Sequence, residues 1–203
     1  MSLHVRDDGA GEVVVLVHGL GASHRVFDAV IARGGRRYLA VDLPRSGKSL
    51  RWAESEPVDV ARKLHNWLSA RGISRFHLVG HSFGGLVALS LAAANPASVS
   101  SLTVASAPAL GLPAEAKALL ATGALDVAAR WAARLPVSKR VMGGYLRWMR
   151  GGGPVPPEAM SLYAESAAAD GYFPGMADAL RSIASYRLPV DALRGAPFRT
   201  TVL

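Results

Sequence analysis

The sequence predicts an α/β fold: a mostly parallel, doubly wound sheet with helices on both faces and a helical insertion late in the chain. Three observations carry this. Short β-branched runs alternate with helix patterns through the first hundred residues, as βαβ units require. Those runs are continuously apolar rather than alternating, the mark of strands buried on both faces. From about Leu110 to Tyr186 the strand signal stops, and alanine- and leucine-rich segments at helical spacing replace it.

Taken in order, Leu3 to Arg6 predicts a short flanking strand. Glu12 to His18 contains Val-Val-Val-Leu-Val and ends at Gly19, a buried strand. Val26 to Ala32 predicts a helix, and Tyr38 to Val41 a second main strand ending at Asp42. Pro57 to Arg71 predicts a longer helix with Val60, Leu64, Trp67 and Leu68 on one face. Its Asp59–Lys63 pair is favourable at i,i+4, and Pro57 suits the first turn. Phe76 to Val79 is the third main strand, Leu86 to Ala94 a helix with Pro96 just beyond it, and Leu102 to Ala105 the fourth. After Ala107-Pro108 the spacing predicts helices over Ala114–Ala121, Leu125–Leu135, Val141–Arg150, Pro157–Ala169 and Gly175–Tyr186. Gly151-Gly152-Gly153-Pro154 and Asp170-Gly171-Tyr172-Phe173-Pro174 punctuate them. Ala196 to Leu203 opens a new β-branched run at the last residues of the chain.

Composition narrows the function classes. A chain of 203 residues fits one domain carrying an insertion. With 50% apolar and 19% charged residues, disorder and a coiled coil are excluded. The absence of cysteine removes thiol catalysis, Cys-ligated zinc and iron–sulfur clusters. No apolar run reaches the ~18 residues of a membrane span, and Met1 to Asp8 lacks the layout of a signal peptide. A soluble cytoplasmic domain is therefore expected. The net charge of +8 raises the question of nucleic acid. Its arginines, however, are scattered rather than striped, and only Arg33 to Arg37 is dense. Neither a nucleic-acid nor a membrane partner is expected.

The motif that carries chemistry is Gly80-His81-Ser82-Phe83-Gly84-Gly85, directly after a strand and before a helix. This is G-x-S-x-G in the context that gives it meaning. A serine on a sharp strand-to-helix turn projects its hydroxyl above the sheet, and the helix N-terminus favours developing negative charge. The bland alternative is a glycine-rich turn with no chemistry. The strand ending Leu16-Val17 runs into His18-Gly19-Leu20-Gly21, a loop able to aim a backbone N–H at the nucleophile's oxygen. With the amide after the serine it would form an oxyanion hole, each donor worth ~3–4 kcal/mol.

On these residues the chain resembles an α/β-hydrolase of the capped, single-domain serine esterase and C–C hydrolase type. The matching features are His18-Gly19-Leu20-Gly21, Asp42-Leu43-Pro44 with Ser46-Gly47-Lys48-Ser49, Gly80 to Gly85, and the helical insertion after Ala107-Pro108. The resemblance implies that Ser82 is the nucleophile and that the amides of Leu20 and Phe83 form the oxyanion hole. His18, Gly19, Gly21, Gly80, His81 and Gly84 support the elbow and loop. It implies no cofactor and no metal. Residues 1–108 are then the N-terminal part of the core, 109–194 the cap, and 195–203 the start of the returning core strand.

Two departures from the family pattern stand out. The family often has glycine where Arg45 stands, and glycine there permits positive φ, so the backbone of that turn is an open point. The larger departure concerns the triad. In the family the acid follows a late strand after the lid and the histidine follows the next strand. The alternative acid position reads Ser106-Ala107-Pro108-Ala109 and holds no carboxylate. None of His4, His18, His24, His65, His77 and His81 comes with an evident acid behind it. The expectation is a partial chain lacking roughly 50–70 residues, with an Asp soon after Leu203 and a His one strand later, so that the 203 residues alone are inactive. Ser46-Gly47-Lys48-Ser49 has the tail of a phosphate-binding loop. Asp42 stands where that loop needs glycine, and Pro44 removes an amide.

The expected function is a serine hydrolase forming an acyl-enzyme on Ser82 with a small apolar ester or related acyl substrate. Esterase, lactonase, thioesterase, perhydrolase and C–C hydrolase chemistry remain open. Leu119, Leu120, Trp131, Leu135, Met142, Trp148 and Met149 of the lid suggest an apolar acyl pocket, or plain helix packing. The alternatives are a non-catalytic ligand-binding protein on the same fold, or an inactive fragment.

Overall fold

A computed structural model of the chain describes residues 3–49, 54–132, 143–144, 146–147, 151–167 and 172–203. Its strands are β1 (Val5–Asp8), β2 (Val13–Val17), β3 (Arg37–Val41), β4 (Phe76–His81), β5 (Val99–Ala105) and β6 (Arg199–Val202). They form one sheet in the order β1-β3-β2-β4-β5-β6. β1 pairs antiparallel with β3, Val5 opposite Val41. The remaining pairs are parallel, with Val17 beside both Val41 and Gly80, and Val104 beside both Gly80 and Val202. The predicted mostly parallel α/β fold is what forms.

The described helices are α1 (Asp28–Ile31), α2 (Pro57–Ser69), α3 (Phe83–Ala94), α4 (Ala114–Ala121), α5 (Ala124–Ala132), α6 (Pro157–Ala167), α7 (Tyr172–Ser185) and α8 (Val190–Arg194). The helix expected over Val26–Ala32 is shorter, a 3₁₀ turn at His24–Phe27 running into α1. α3 starts at Phe83 rather than Leu86, so the serine motif itself is the helix N-terminus. The helix expected over Val141–Arg150 falls largely outside the described residues, as do Leu135, Met142, Trp148 and Met149. No helix among the described residues is long and apolar enough to cross a membrane.

Side-chain alternation explains the continuous apolar runs. Val15 and Val17 of β2 and Leu39 and Val41 of β3 bury against one face, where α2 contributes Val60, Leu64 and Leu68 and α3 contributes Leu86, Val87 and Leu91. Leu16, Tyr38 and Ala40 point to the other face and pack on Phe27 and Ile31 beside α1. Each residue of such a strand is core because the sheet is covered twice. β4 and β5 differ from that expectation. Phe76, Leu78, Leu102 and Val104 are buried on the α3 side, whereas His77, Val79, Ser101 and Thr103 on the other side are only half-buried. Double covering thus holds for β2 and β3 and not for β4 and β5. β6 is exposed along its whole length at the sheet edge.

Candidate active site

The carboxyl ends of β2, β3 and β4 bring the expected site residues together. Ser82 sits between the last residue of β4 and the first of α3 with φ 52° and ψ −120°. That region is nearly closed to a residue with a Cβ and costs on the order of 1–3 kcal/mol. Two hydrogen bonds hold it there. The Ser82 N–H donates to Ala105 O at 2.8 Å, and the Gly85 N–H donates to Ser82 O at 2.9 Å. The glycines permit the close approach that the turn demands. A Cβ at Gly84 would stand 2.2 Å from Val17 O, and one at Gly19 would stand 2.9 Å from the Ser82 Cβ and 3.0 Å from His81 Nδ1. The loop after β2 therefore lies directly against the serine.

Phe83 is the first residue of α3, where an amide has no intrahelical acceptor. Neither the Leu20 nor the Phe83 N–H donates to a backbone carbonyl among the described residues. Both residues line one narrow cavity of about 30 Å³, together with Leu43, Arg45, Tyr172 and Met176. The apolar wall thus comes from α7, through Tyr172, Met176 and Ala179. Leu119 and Trp131, read from the sequence as either pocket or helix-packing residues, are 62% and 61% exposed. Neither lines the cavity. Tyr172, Met176 and Ala179 recur at spacings of four and three, a helix-face signal that was present in the sequence.

His18 is fully buried and ties two loops together. The Leu43 N–H donates to His18 Nε2 at 3.0 Å. Nδ1 then carries the proton and donates to Gly19 O at 2.7 Å. Burial pushes its pKa down to about 4, which keeps the ring neutral. Gly21, in the same loop, accepts a 3.1 Å hydrogen bond from the Tyr172 hydroxyl. His81 is also held below the usual histidine range by burial.

The turn at Arg45 keeps the glycine-like backbone, with φ 56°. The strain is offset by contacts. Its N–H donates to Ser49 O at 3.1 Å, and its guanidinium pairs with Asp178 of α7 at 2.6 Å. Gly175 of the same helix leaves room for the arginine stem.

No hydrogen bond to the Ser82 hydroxyl is made among the described residues. The other histidines are engaged elsewhere. His65 Nε2 lies 3.3 Å from Ser98 Oγ, and His77 Nδ1 lies 2.8 Å from Ser101 Oγ. His4, His24 and Asp42 converge in one cluster. Separations of 20 and 18 residues left no local signal for that convergence.

Comparison with known proteins agrees with the fold. The family model described as "alpha/beta hydrolase fold" matches residues 12–131. The chain is 38% identical over 114 residues to a 2-hydroxy-6-oxononadienedioate/2-hydroxy-6-oxononatrienedioate hydrolase of Burkholderia vietnamiensis, a match covering 51% of this chain and 39% of that one. The chain spans less than half the length of such curated relatives, 28–43%. A hydrolase of Pseudomonas aeruginosa superposes with a TM-score of 0.76 at 21% identity, over 98% of this chain and 74% of that one. An esterase of Exiguobacterium antarcticum gives 0.73 at 21% identity, over 98% and 75%.

Proposed function

The chain belongs to the alpha/beta hydrolase fold family, and from that premise we propose that Ser82 is the nucleophile of a serine hydrolase acting on a small ester or related acyl substrate. The observation that carries this reading is the strained Ser82 backbone, φ 52°, held against the loop of Leu20. A binding protein has no use for a serine in that conformation, which weighs against a non-catalytic reading.

In this reading the Ser82 hydroxyl attacks the substrate carbonyl, and the oxygen that becomes negative rests on the amides of Leu20 and Phe83. Fixed amides, one in the loop after β2 and one at the start of α3, stabilise that charge without reorganising. Water then releases the acyl group. Residues 109–194 act as the cap, with Tyr172 and Met176 forming an apolar wall for the acyl chain. No described residue hydrogen-bonds the Ser82 hydroxyl, so the general base and its acid are not assigned among the described residues. The likeness to both an esterase and a dienedioate hydrolase keeps ester and C–C cleavage together as candidate reactions.

The test is fluorophosphonate labelling of the full-length protein, followed by a panel of chromogenic esters of increasing acyl length. Wild type should be labelled at Ser82 and should turn over short esters. Ser82→Gly should lose both and yet melt higher, because glycine removes strain worth about 1 kcal/mol net of its own chain entropy. An unlabelled, folded wild-type protein would overturn the proposal.

A further inference from the structure

Away from the nucleophile, three side chains from separate parts of the chain meet beneath the turn that carries Arg45. His4 comes from the segment entering β1, His24 from the 3₁₀ turn after the Leu20 loop, and Asp42 from the end of β3. One donor atom from each lies within 4.8 Å of the others. Asp42 is fully buried, while His24 and His4 keep 12% and 30% of their side chains exposed. We propose that His4, His24 and Asp42 form a binding site for a divalent borderline metal ion of the zinc, cobalt or nickel class.

The donor set is the first argument. Two imidazoles and one carboxylate leave a fourth position for water, a combination that suits these ions and not magnesium or calcium. Spacing is the second. His24 Nδ1 lies 2.8 Å from Asp42 Oδ1, and opening that pair by about half an ångström reaches the roughly 3.3–3.4 Å between two tetrahedral ligands each about 2.0–2.1 Å from one ion. The metal would replace the single proton that joins those two atoms. His4 Nε2 is 4.0 Å from Asp42 Oδ2, so a small inward movement of a half-exposed ring completes the third corner.

The surroundings are built to hold the ligands in place, which is the third argument. The His24 N–H donates to Asp42 Oδ1 at 2.7 Å, and the Lys48 N–H donates to Asp42 Oδ2 at 2.9 Å. The His4 N–H donates to Ser49 Oγ at 2.9 Å, anchoring the start of β1. Such outer partners orient ligands and commonly tune affinity by tenfold or more. A cavity lined in part by Ser23, Arg25, Lys48 and Glu165 reaches His24, one member of the cluster. The occupied site would clamp β1, the Leu20 loop and the end of β3, all of which lead into the catalytic turns.

The experiment is thermal melting and calorimetric titration of the tag-free protein with zinc, with cobalt as a spectroscopic probe. One zinc per chain should bind, raising the melting temperature by about 5 °C or more at a hundredfold excess over the dissociation constant. Cobalt should give a visible ligand-field band. His4→Gln, at a half-exposed position, should melt normally without metal, weaken zinc at least tenfold and abolish the band. His77→Gln, outside the cluster, should bind like wild type. Absence of a zinc-dependent shift in wild type would overturn the site, as would a shift and band retained in His4→Gln.

Discussion

At the residue scale, His18 and Ser82 show two kinds of local commitment. Ser82 was legible because its signal is local: a glycine-flanked serine between a β-branched run and an apolar helix leaves few backbone solutions. His18 belonged to the same loop signature, but its role as a buried connector depends on Leu43, 25 residues away. Its pKa of about 4 in the fold against 6.5 in an exposed chain fixes a direction. Above pH 6.5 both states hold a neutral ring and the contribution to stability is complete. As pH falls below that value the unfolded chain takes up a proton that the folded one refuses until about 4. Stability should therefore drop across that window by about 3 kcal/mol from this group, with His4, His77 and His81 acting in the same sense. Urea melts at stepped pH check it, and His18→Gln should flatten the slope. An NMR titration placing the His18 ring near 6.5 would remove this account.

At the element scale, the junction between α7 and the sheet is the feature that sequence reading missed most. Asp170 to Pro174 reads as a breaker, yet α7 begins at Tyr172. Pro174 falls in its first turn, where a missing N–H costs nothing. From there α7 reaches the core three times. Tyr172 bonds Gly21, Asp178 pairs with Arg45, and the Ser182 hydroxyl donates to Ser55 O at 3.0 Å. Arg181 extends the chain of charges to Asp178 and to Asp126 of α5. α6 adds a pair between Glu165 and Arg25. Arg45 and Asp178 keep 29% and 30% of their side chains exposed, so solvent screens them in part. A double-mutant cycle with Arg45→Ala and Asp178→Ala should give a coupling of about 1 kcal/mol or less, falling as salt rises. A coupling indistinguishable from zero at low salt would mean that the Arg45 N–H bond to Ser49 O and the packing on Gly175 hold the turn without the ion pair.

At the scale of the whole molecule, the sheet is covered on both sides at β2 and β3 and on one side only at β4 and β5. β6 presents an edge with Val202 76% and Leu203 74% exposed. Open, apolar edges of this kind pair with other chains. The 203-residue chain should therefore self-associate at micromolar concentration, and Val202→Lys should reduce the light scattering; equal scattering from both would exonerate the edge. Most of the architecture was readable from sequence. Period and β-branching fix strands and helices locally, glycine spacing fixes the strand-to-helix turn at Ser82, and the absence of cysteine from these 203 residues excludes a thiol nucleophile among them. Tertiary structure decided what those signals do not encode. It placed α7 rather than α4 or α5 at the cavity, kept a positive φ at Arg45 through a contact 133 residues away, and gathered His4, His24 and Asp42. The reason is physical: backbone preference and hydrophobic period act over a few residues, whereas a site is an intersection of strand ends whose separation along the chain carries no local trace.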